Sequence, residues 1–423
     1  MGDHAADGKG GLGVRILWVK TELLHPVDKG GKIRTYQMLK SLIRHHEVVY
    51  LALDDGSAAA DALARANEYA TSVVTVPFKP AAKGTIGYFL DLFLNLFSGL
   101  PYAVSRYRSS LLREKIASLA AGVDLVICDF LAPAVNVPAT LPVRAVLFQH
   151  NVEAMIWERH ASVPQNPVRR LYMREQWRRM LKFEGAACRR FDHVVAVSAD
   201  DAAIFREKFA VKDVSAVATG VDLAFFEPRA DVARTPGGIV FVGSMDWMPN
   251  TDGILWFAES AYRAIRARVP AAALHIVGRS PPAAVRELAE QLPDVHVTGT
   301  VADVRPYLAG AAVSVVPLRV GGGTRLKIFE AMAIGTPVVS TTIGAEGLPV
   351  RHGEHLLIAD DPAEFAAAVV RLLEDRALAA RIAANALQFV REHCGWDAVT
   401  DRFISQCAAG PARAATSSQG SLE

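Results

Sequence analysis

Apolar residues fall in short blocks along this chain, separated by glycine, proline and charge. Residues 14–19 (VRILWV) form one such block between a glycine and a charge, which predicts a buried strand. A loop follows, then Gly30-Gly31 and the segment KIRTYQMLKSLI, with Ile33, Tyr36, Leu39, Leu42 and Ile43 at helical spacing. Residues 48–53 read as the next strand. Strand, helix and strand make a βαβ unit, the building block of a parallel doubly wound sheet. Further strands are predicted at 72–76, 124–128, 143–148 and 193–197, with helical patterns between several of them. The rhythm then restarts. Phe226-Glu227-Pro228 and Arg234-Thr235-Pro236-Gly237-Gly238 read as a linker. Strands at 238–242, 273–277, 296–298, 313–317 and 337–340 follow, with helices between. Two consecutive α/β sets predict two Rossmann-like lobes facing a cleft, where such folds place their ligands.

Composition narrows the function classes. At 423 residues the chain is too long for one core and suits two domains. A net charge of +2 is too small to imply nucleic acid as a partner. Cys128, Cys188, Cys394 and Cys407 are scattered without ligand spacing, which points to reduced thiols in a cytosol. Residues 1–13 read as a flexible leader without the apolar core of a signal peptide, and 409–423 as a flexible tail. The greasiest stretch, 88–100 (YFLDLFLNLFSGL), is interrupted by Asp91 and Asn95 and is shorter than the roughly 18 apolar residues of a spanning helix. It suits either a buried helix or one lying in a membrane interface.

Two motif matches are set aside. Gly8-Lys9-Gly10-Gly11-Leu12-Gly13 fits a dinucleotide fingerprint, but it precedes the first strand instead of following one. His352 and His355 bracket a glycine turn, so no helical face aligns them as metal ligands; a solvent-exposed turn is expected.

The segment carrying chemistry is 316–340, VPLRVGGGTRLKIFEAMAIGTPVVS. A strand runs into Gly321, Gly322 and Gly323, then into a helix from about Thr324 to Ala333. Three glycines before a helix let backbone N–H groups and the positive helix end approach an anion closely. Arg325 and Lys327 add cations in the first turns, where they oppose the helix dipole, so an anionic ligand explains them. Glu330 follows two turns in, and its carboxylate can accept from vicinal hydroxyls such as those of a ribose. A glycine loop with a solvated helix is the plainer alternative.

This segment resembles the retaining group 1 (family four) glycosyltransferases of GT-B fold, whose hallmark is a glutamate, seven residues, and a second glutamate opening Glu-Ala-Met-Ala. Glu330-Ala331-Met332-Ala333 matches its second half. Pro26 to Lys32 (PVDKGGK) resembles the family's glycine loop, with Gly30 and Gly31 against the donor. Phe148-Gln149-His150-Asn151 resembles its strand-end histidine. Val194 to Ser198 and Thr219 to Asp222 resemble the interdomain passage. Phe241-Val242-Gly243-Ser244 and Ile276-Val277-Gly278-Arg279 resemble strand ends of the donor domain, and Trp396-Asp397 the start of a closing helix. The resemblance implies an acceptor-side domain at 14–230, a nucleotide-sugar-binding domain at 236–392 and a helix at 393–408 crossing back. It implies catalytic roles for His150 and Glu330, and donor binding by Gly30, Gly31, Gly243, Gly278, Arg279, Gly321, Gly322, Gly323, Thr324, Arg325, Lys327 and Glu330. Asp129 and Ser198, each at or just past the end of a predicted strand, are acceptor-side candidates.

The chain also departs from the family. The first glutamate of the pair falls at Gly322. Ser244 stands where relatives carry an arginine, with Pro249 and Asn250 near their lysine. Arg325 and Lys327 are expected to restore that charge. No Asp-x-Asp occurs, so neither metal nor cofactor is expected. A basic stretch (Arg169, Arg170, Arg174, Arg178, Arg179, Lys182, Arg189, Arg190) interleaved with aromatics suits an anionic membrane surface or a pyrophosphate-linked lipid acceptor, or a merely solvated helix face. The resulting expectation is a cytoplasmic, metal-independent, retaining glycosyltransferase, peripheral on the inner face of the cytoplasmic membrane. It would move a hexose-type sugar from a nucleotide sugar to a glycan or lipid-linked glycan in cell-surface polysaccharide or glycolipid assembly. A GT-B sugar-nucleotide epimerase and a non-catalytic scaffold subunit are the alternatives.

Overall fold

The computed structural model describes residues 13–27, 30–82, 84–162, 166–320 and 326–410. The described strands pair in parallel, in two sheets. The first holds β1 (Arg15–Lys20), β2 (Glu47–Asp54), β3 (Ser72–Pro77), β4 (Leu125–Asp129), β5 (Arg144–Phe148), β6 (His193–Ala196) and β7 (Val214–Ala216). Their order is β3-β2-β1-β4-β5-β6-β7. Ile16 lies level with Val48 on one side and Leu125 on the other, so apolar rows run unbroken across the sheet centre. β1, β2, β4, β5 and β6 are buried on both faces, as parallel strands under helices are. Around them lie α1 (Gly30–Leu42), α2 (Ile86–Asn95), α3 (Tyr102–Ser105), α4 (Ser110–Ala120), α5 (Glu153–Ser162), α6 (Pro167–Arg190) and α7 (Ala199–Phe209).

The second sheet holds β8 (Gly238–Val242), β9 (Ala273–Val277), β10 (Val295–Gly299), β11 (Val313–Val316), β12 (Val338–Ser340) and β13 (Leu357–Ile358), in the order β10-β9-β8-β11-β12-β13. Its helices include α8 (Met248–Trp256), α9 (Arg263–Arg268), α10 (Ala283–Gln291), α11 (Arg305–Gly310) and α12 (Leu326–Ile334). The chain divides after Val217 and again after Val399, so the first unit also takes in most of the last helix, Trp396–Ala408. The passage 218–230 therefore groups with the second unit.

In each sheet the strand order reverses beside the first strand. β1 stands between β2 and β4, and β8 between β9 and β11. In folds of this kind the loops at the C-terminal ends of such neighbours diverge and leave room for a ligand. Two local expectations change. The apolar stretch 88–100 is not a buried helix, because most large apolar side chains of α2 and its C-terminal turn face solvent. His355 is not in a solvent-exposed turn either. It is buried and stacked on Phe389 at 4.6 Å, its Nδ1 accepting the Arg351 N–H, while His352 Nδ1 accepts the Ile358 N–H. Both histidines hold their own turn together.

Candidate functional site

In the first unit, three C-terminal strand ends converge at the reversal point. Lys20 ends β1, Asp129 ends β4, and His150 follows β5. All three are buried. Asp129 Oδ2 accepts from Lys20 Nζ at 2.6 Å, Thr35 Oγ1 at 2.7 Å and Trp18 Nε1 at 3.1 Å. Its Oδ1 lies 2.7 Å from His150 Nε2. Burial would raise the Asp129 carboxyl, but Lys20 and His150 outweigh it and hold it well below the usual carboxylate range. Burial drives His150 down to about 4 against the pull of Asp129, helped by the positive charges of Arg34 and Lys20. The imidazole is therefore neutral near pH 7. A carboxylate can only accept, so Nε2 carries the proton and Nδ1 keeps its lone pair.

Phe130 fixes the ring's plane. Its ring stacks on His150 with centroids 3.8 Å apart, and Lys20 Nζ sits 4.2 Å from its centroid. Its φ of 74° is left-handed, which costs a bulky residue about 1–2 kcal/mol. A Cβ on Gly31 would come within 2.6 Å of the Phe130 ring, so Gly31 serves that ring, and Gly30 and Gly31 form the first turn of α1. One turn on, Arg34 is buried and makes no hydrogen bond among the described residues. Burial lowers its pKa to about 9, with Asp129 and Asp201 opposing. Unsatisfied guanidinium donors at a strand-end crevice are open to an anionic or hydroxyl-rich ligand. The segment after His150 is pinned from behind. Glu184 of α6 accepts from Gln149 Nε2 and the Glu153 N–H on one oxygen and from the Ala154 N–H on the other, capping α5.

Two acceptor-side candidates take other roles. Asp129 is fully enclosed and used by four side chains of this chain, so it holds His150 and Lys20 and cannot touch an acceptor. Ser198 caps α7, its hydroxyl accepting the Asp201 N–H at 3.0 Å.

In the second unit, Gly243 follows β8 at the reversal point. A Cβ there would come within 2.8 Å of both Asn250 Nδ2 and Lys327 Nζ, and a Cβ on Gly278 would collide with the Gly243 carbonyl. Gly243 is glycine because side chains from α8 and α12 close over it, and Gly278 because the Gly243 backbone does. A hydrogen-bonded chain surrounds Gly243. Arg279 Nε donates to Ser244 Oγ at 2.8 Å, Asn250 Nδ2 to the Ser244 carbonyl at 2.8 Å, and Lys327 Nζ to Asn250 Oδ1 at 2.6 Å. Lys327 also lies 4.5 Å from the Phe241 ring centroid. Asp246 faces Arg279 at 3.3 Å, offsetting part of its charge. On the next turn of α12, Glu330 has no hydrogen-bond partner among the described residues. Burial pushes its carboxyl up to about 7, Lys327 pulling the other way. Gly321, Gly322, Gly323, Thr324 and Arg325 lie outside the described residues.

Sequence reasoning missed Lys20, Thr35, Phe130 and Arg34. Lys20 carried a usable signal, a charge ending an apolar strand.

Residues 29–225 match the family described as Glycosyltransferase Family 4, and residues 236–375 that described as Glycosyl transferases group 1. The chain belongs to the group 1 (family 4) glycosyltransferases. It is similar to the D-inositol 3-phosphate glycosyltransferase of Thermomonospora curvata, 31% identical over 253 residues (50% of this chain, 56% of that protein). It is also similar to the enzyme of that name from Geodermatophilus obscurus, 29% identical over 261 residues (54% and 55%). The chain spans about half the length of these curated relatives. Among solved structures it is similar to sucrose-phosphate synthase from Thermosynechococcus elongatus, with TM-score 0.64 at 20% identity over 93% of this chain and 98% of that one. It is also similar to Anabaena HepE in complex with UDP and glucose, with TM-score 0.62 at 15% identity over 94% and 100%. At such identities the likeness is one of fold. That fold is GT-B, and the two parallel sheets are its two Rossmann-like domains.

Proposed function

We propose that this group 1 glycosyltransferase moves a hexose-type sugar from a nucleotide-sugar donor to a glycan or lipid-linked glycan in surface polysaccharide or glycolipid assembly. The transfer retains the anomeric configuration and needs neither metal nor cofactor. The observation that carries the reading is the chain Arg279–Ser244–Asn250–Lys327 around bare Gly243. The family resemblance puts an arginine at Ser244 and a lysine near Pro249 and Asn250. Here a guanidinium from the next strand end reaches Ser244, and an ammonium from α12 reaches Asn250. Each lost cation has a neighbour in its place, so a diphosphate still meets two positive charges beside a backbone free of side chains.

The neighbouring Glu330 carboxylate, without a hydrogen-bond partner among the described residues, accepts from the donor's ribose hydroxyls. In the first unit, His150 donates its Nε2–H to Asp129 and offers a neutral ring edge to a sugar. Arg34 supplies donors to the sugar or acceptor. When the bond from the anomeric carbon to the phosphate oxygen breaks, its electrons stay on that oxygen, which Arg279 and Lys327 stabilise. The departing oxygen takes the acceptor's hydroxyl proton on the same face as the new bond forms, which is why no strong protein base is required. Cys128, Cys188, Cys394 and Cys407 are buried and form no disulfide among the described residues, which supports a cytoplasmic setting.

The test is a thermal-shift screen of nucleotide sugars in excess EDTA, beginning with UDP-sugars because HepE is solved with UDP. At least one donor should raise the melting temperature, and the same donor should be consumed in EDTA only when an acceptor is supplied. Consumption without acceptor would point to an epimerase. No response to any donor would remove the reading.

A further inference from the structure

The helix α2 is apolar and almost nothing covers it. Ile86 is 88% exposed and Phe97, in the turn that follows, is 79% exposed, with Phe89, Leu90, Phe93, Leu94 and Leu96 exposed between them. Positions 86, 89, 90, 93 and 97 repeat at helical spacing, so these side chains form one stripe, and Phe93 and Phe97 touch with ring centroids 5.5 Å apart. The polar positions lie on the other side. Asn95 is buried, donating to the Leu100 carbonyl and Ser105 Oγ and accepting from Gln176 Nε2 of α6. Asp91 lines an open cavity of about 370 Å³ with Lys79, Ser98, Tyr102 and Arg106. A continuous apolar patch of this size on a folded protein marks a surface that meets something apolar.

What it meets is indicated by α6. Arg179 Nη1 and Nη2 donate to the Asn95 and Leu96 carbonyls, fixing α6 against the end of α2. The first turns of α6 are exposed. Val168 (80% exposed) and Leu171 (72% exposed) stand among Arg169, Arg170 and Arg174, and none of these arginines has a carboxylate partner among the described residues. Cations without counter-charges beside an apolar stripe complement a layer of negative headgroups over hydrocarbon. Among the described residues no helix is long and apolar enough to cross a membrane.

We propose that α2 and the first half of α6 form a docking surface for an anionic phospholipid bilayer. The apolar stripe of α2 sinks into the interface while Arg169, Arg170 and Arg174 meet the headgroup phosphates. This proposal stands on the first unit's surface alone and does not require the transferase reading.

The test is co-sedimentation of the full chain with vesicles of phosphatidylcholine alone and of phosphatidylcholine with phosphatidylglycerol. The protein should pellet with the mixed vesicles, weakly with the neutral ones, and less at high salt. Phe93→Ser with Phe97→Ser should abolish pelleting, and Arg169→Glu with Arg174→Glu should weaken it by about tenfold or more. Because these side chains are exposed, the melting temperatures and nucleotide-sugar binding of both variants should match wild type. Failure of the full chain to pellet, or variants that pellet as wild type does, would overturn the proposal. So would a concentration-dependent dimer in sedimentation velocity that the Phe93/Phe97 variant loses, since a second copy would then cover the stripe.

Discussion

His150 is neutral and Asp129 ionised in one buried pair, so substitutions at the two should fail in different ways. On the proposed reading His150 acts on the donor sugar, so His150→Ala should cut kcat by about 10²–10³ while donor affinity changes little, as for an interaction felt mainly in the transition state. Equal losses in kcat and affinity would reduce it to a binding residue. Asp129→Asn leaves the Lys20 ammonium buried without its counter-charge, and should cost about 3–5 kcal/mol in unfolding experiments besides lowering kcat. Glu330 gives a pH signature. Its folded pKa of about 7 lies above its ordinary value, so its ionisation opposes folding. That part of the stability is intact below pH 4.5 and is lost as pH rises through about 7. Glu330→Gln should therefore raise the melting temperature at pH 8 and leave it unchanged near pH 4. Donor affinity should move the opposite way, rising in wild type as the carboxylate forms and dropping by about 1.5–3 kcal/mol in the variant at pH 8. Calorimetry on both proteins across that range checks both signs. Asp129, His150 and Glu330 were legible because strand ends and a helix motif mark them locally. Thr35 was not, nor was the partner of Lys20, since the two meet Asp129 across 94 and 109 residues of chain.

The strands were legible as elements because parallel strands buried on both faces leave continuous apolar blocks. β7 was not, being three half-buried residues long. The basic character of α6 was legible, but which arginines reach solvent was not. A helix of 24 residues with arginine on every side gives no periodic cue. The structure turns Arg179, Arg189 and Arg190 onto carbonyls of neighbouring elements and leaves the first turns outside. The far half of α6 carries a second duty through Glu184. Burial raises its pKa to about 8, with the Ala154 and Glu153 N–H groups pulling the other way. Glu184→Ala would leave those two N–H groups and the Gln149 amide without an acceptor in the interior, costing about 2–4 kcal/mol. The start of α5 should loosen as well, so amide exchange at Glu153 and Ala154 should speed up more than at the β5 strand. Unchanged exchange there would show that α5 needs no cap from α6.

At the scale of the whole chain, two parallel sheets restart the same pattern, and each presents a site where its strand order reverses. That much follows from periodicity and from the right-handed crossovers of βαβ units. Lys327 was expected to restore charge in the second unit; the part Arg279 plays in it was not. Ser244 and Asn250 look like losses in the sequence, and the fold brings Arg279 to the first and Lys327 to the second. The central claim is that these two cations hold the donor's diphosphate without metal. Isothermal titration of the best nucleoside diphosphate, in EDTA, into wild type, Arg279→Ala, Lys327→Ala and the double variant tests it most directly. Each single change should weaken binding by about 1–3 kcal/mol, and the double variant should lose more than either. Lys327→Ala should lose more than Arg279→Ala, because Asp246 already offsets part of the guanidinium charge. Affinities for both variants within about 0.5 kcal/mol of wild type, the range of innocuous surface changes, would contradict the account.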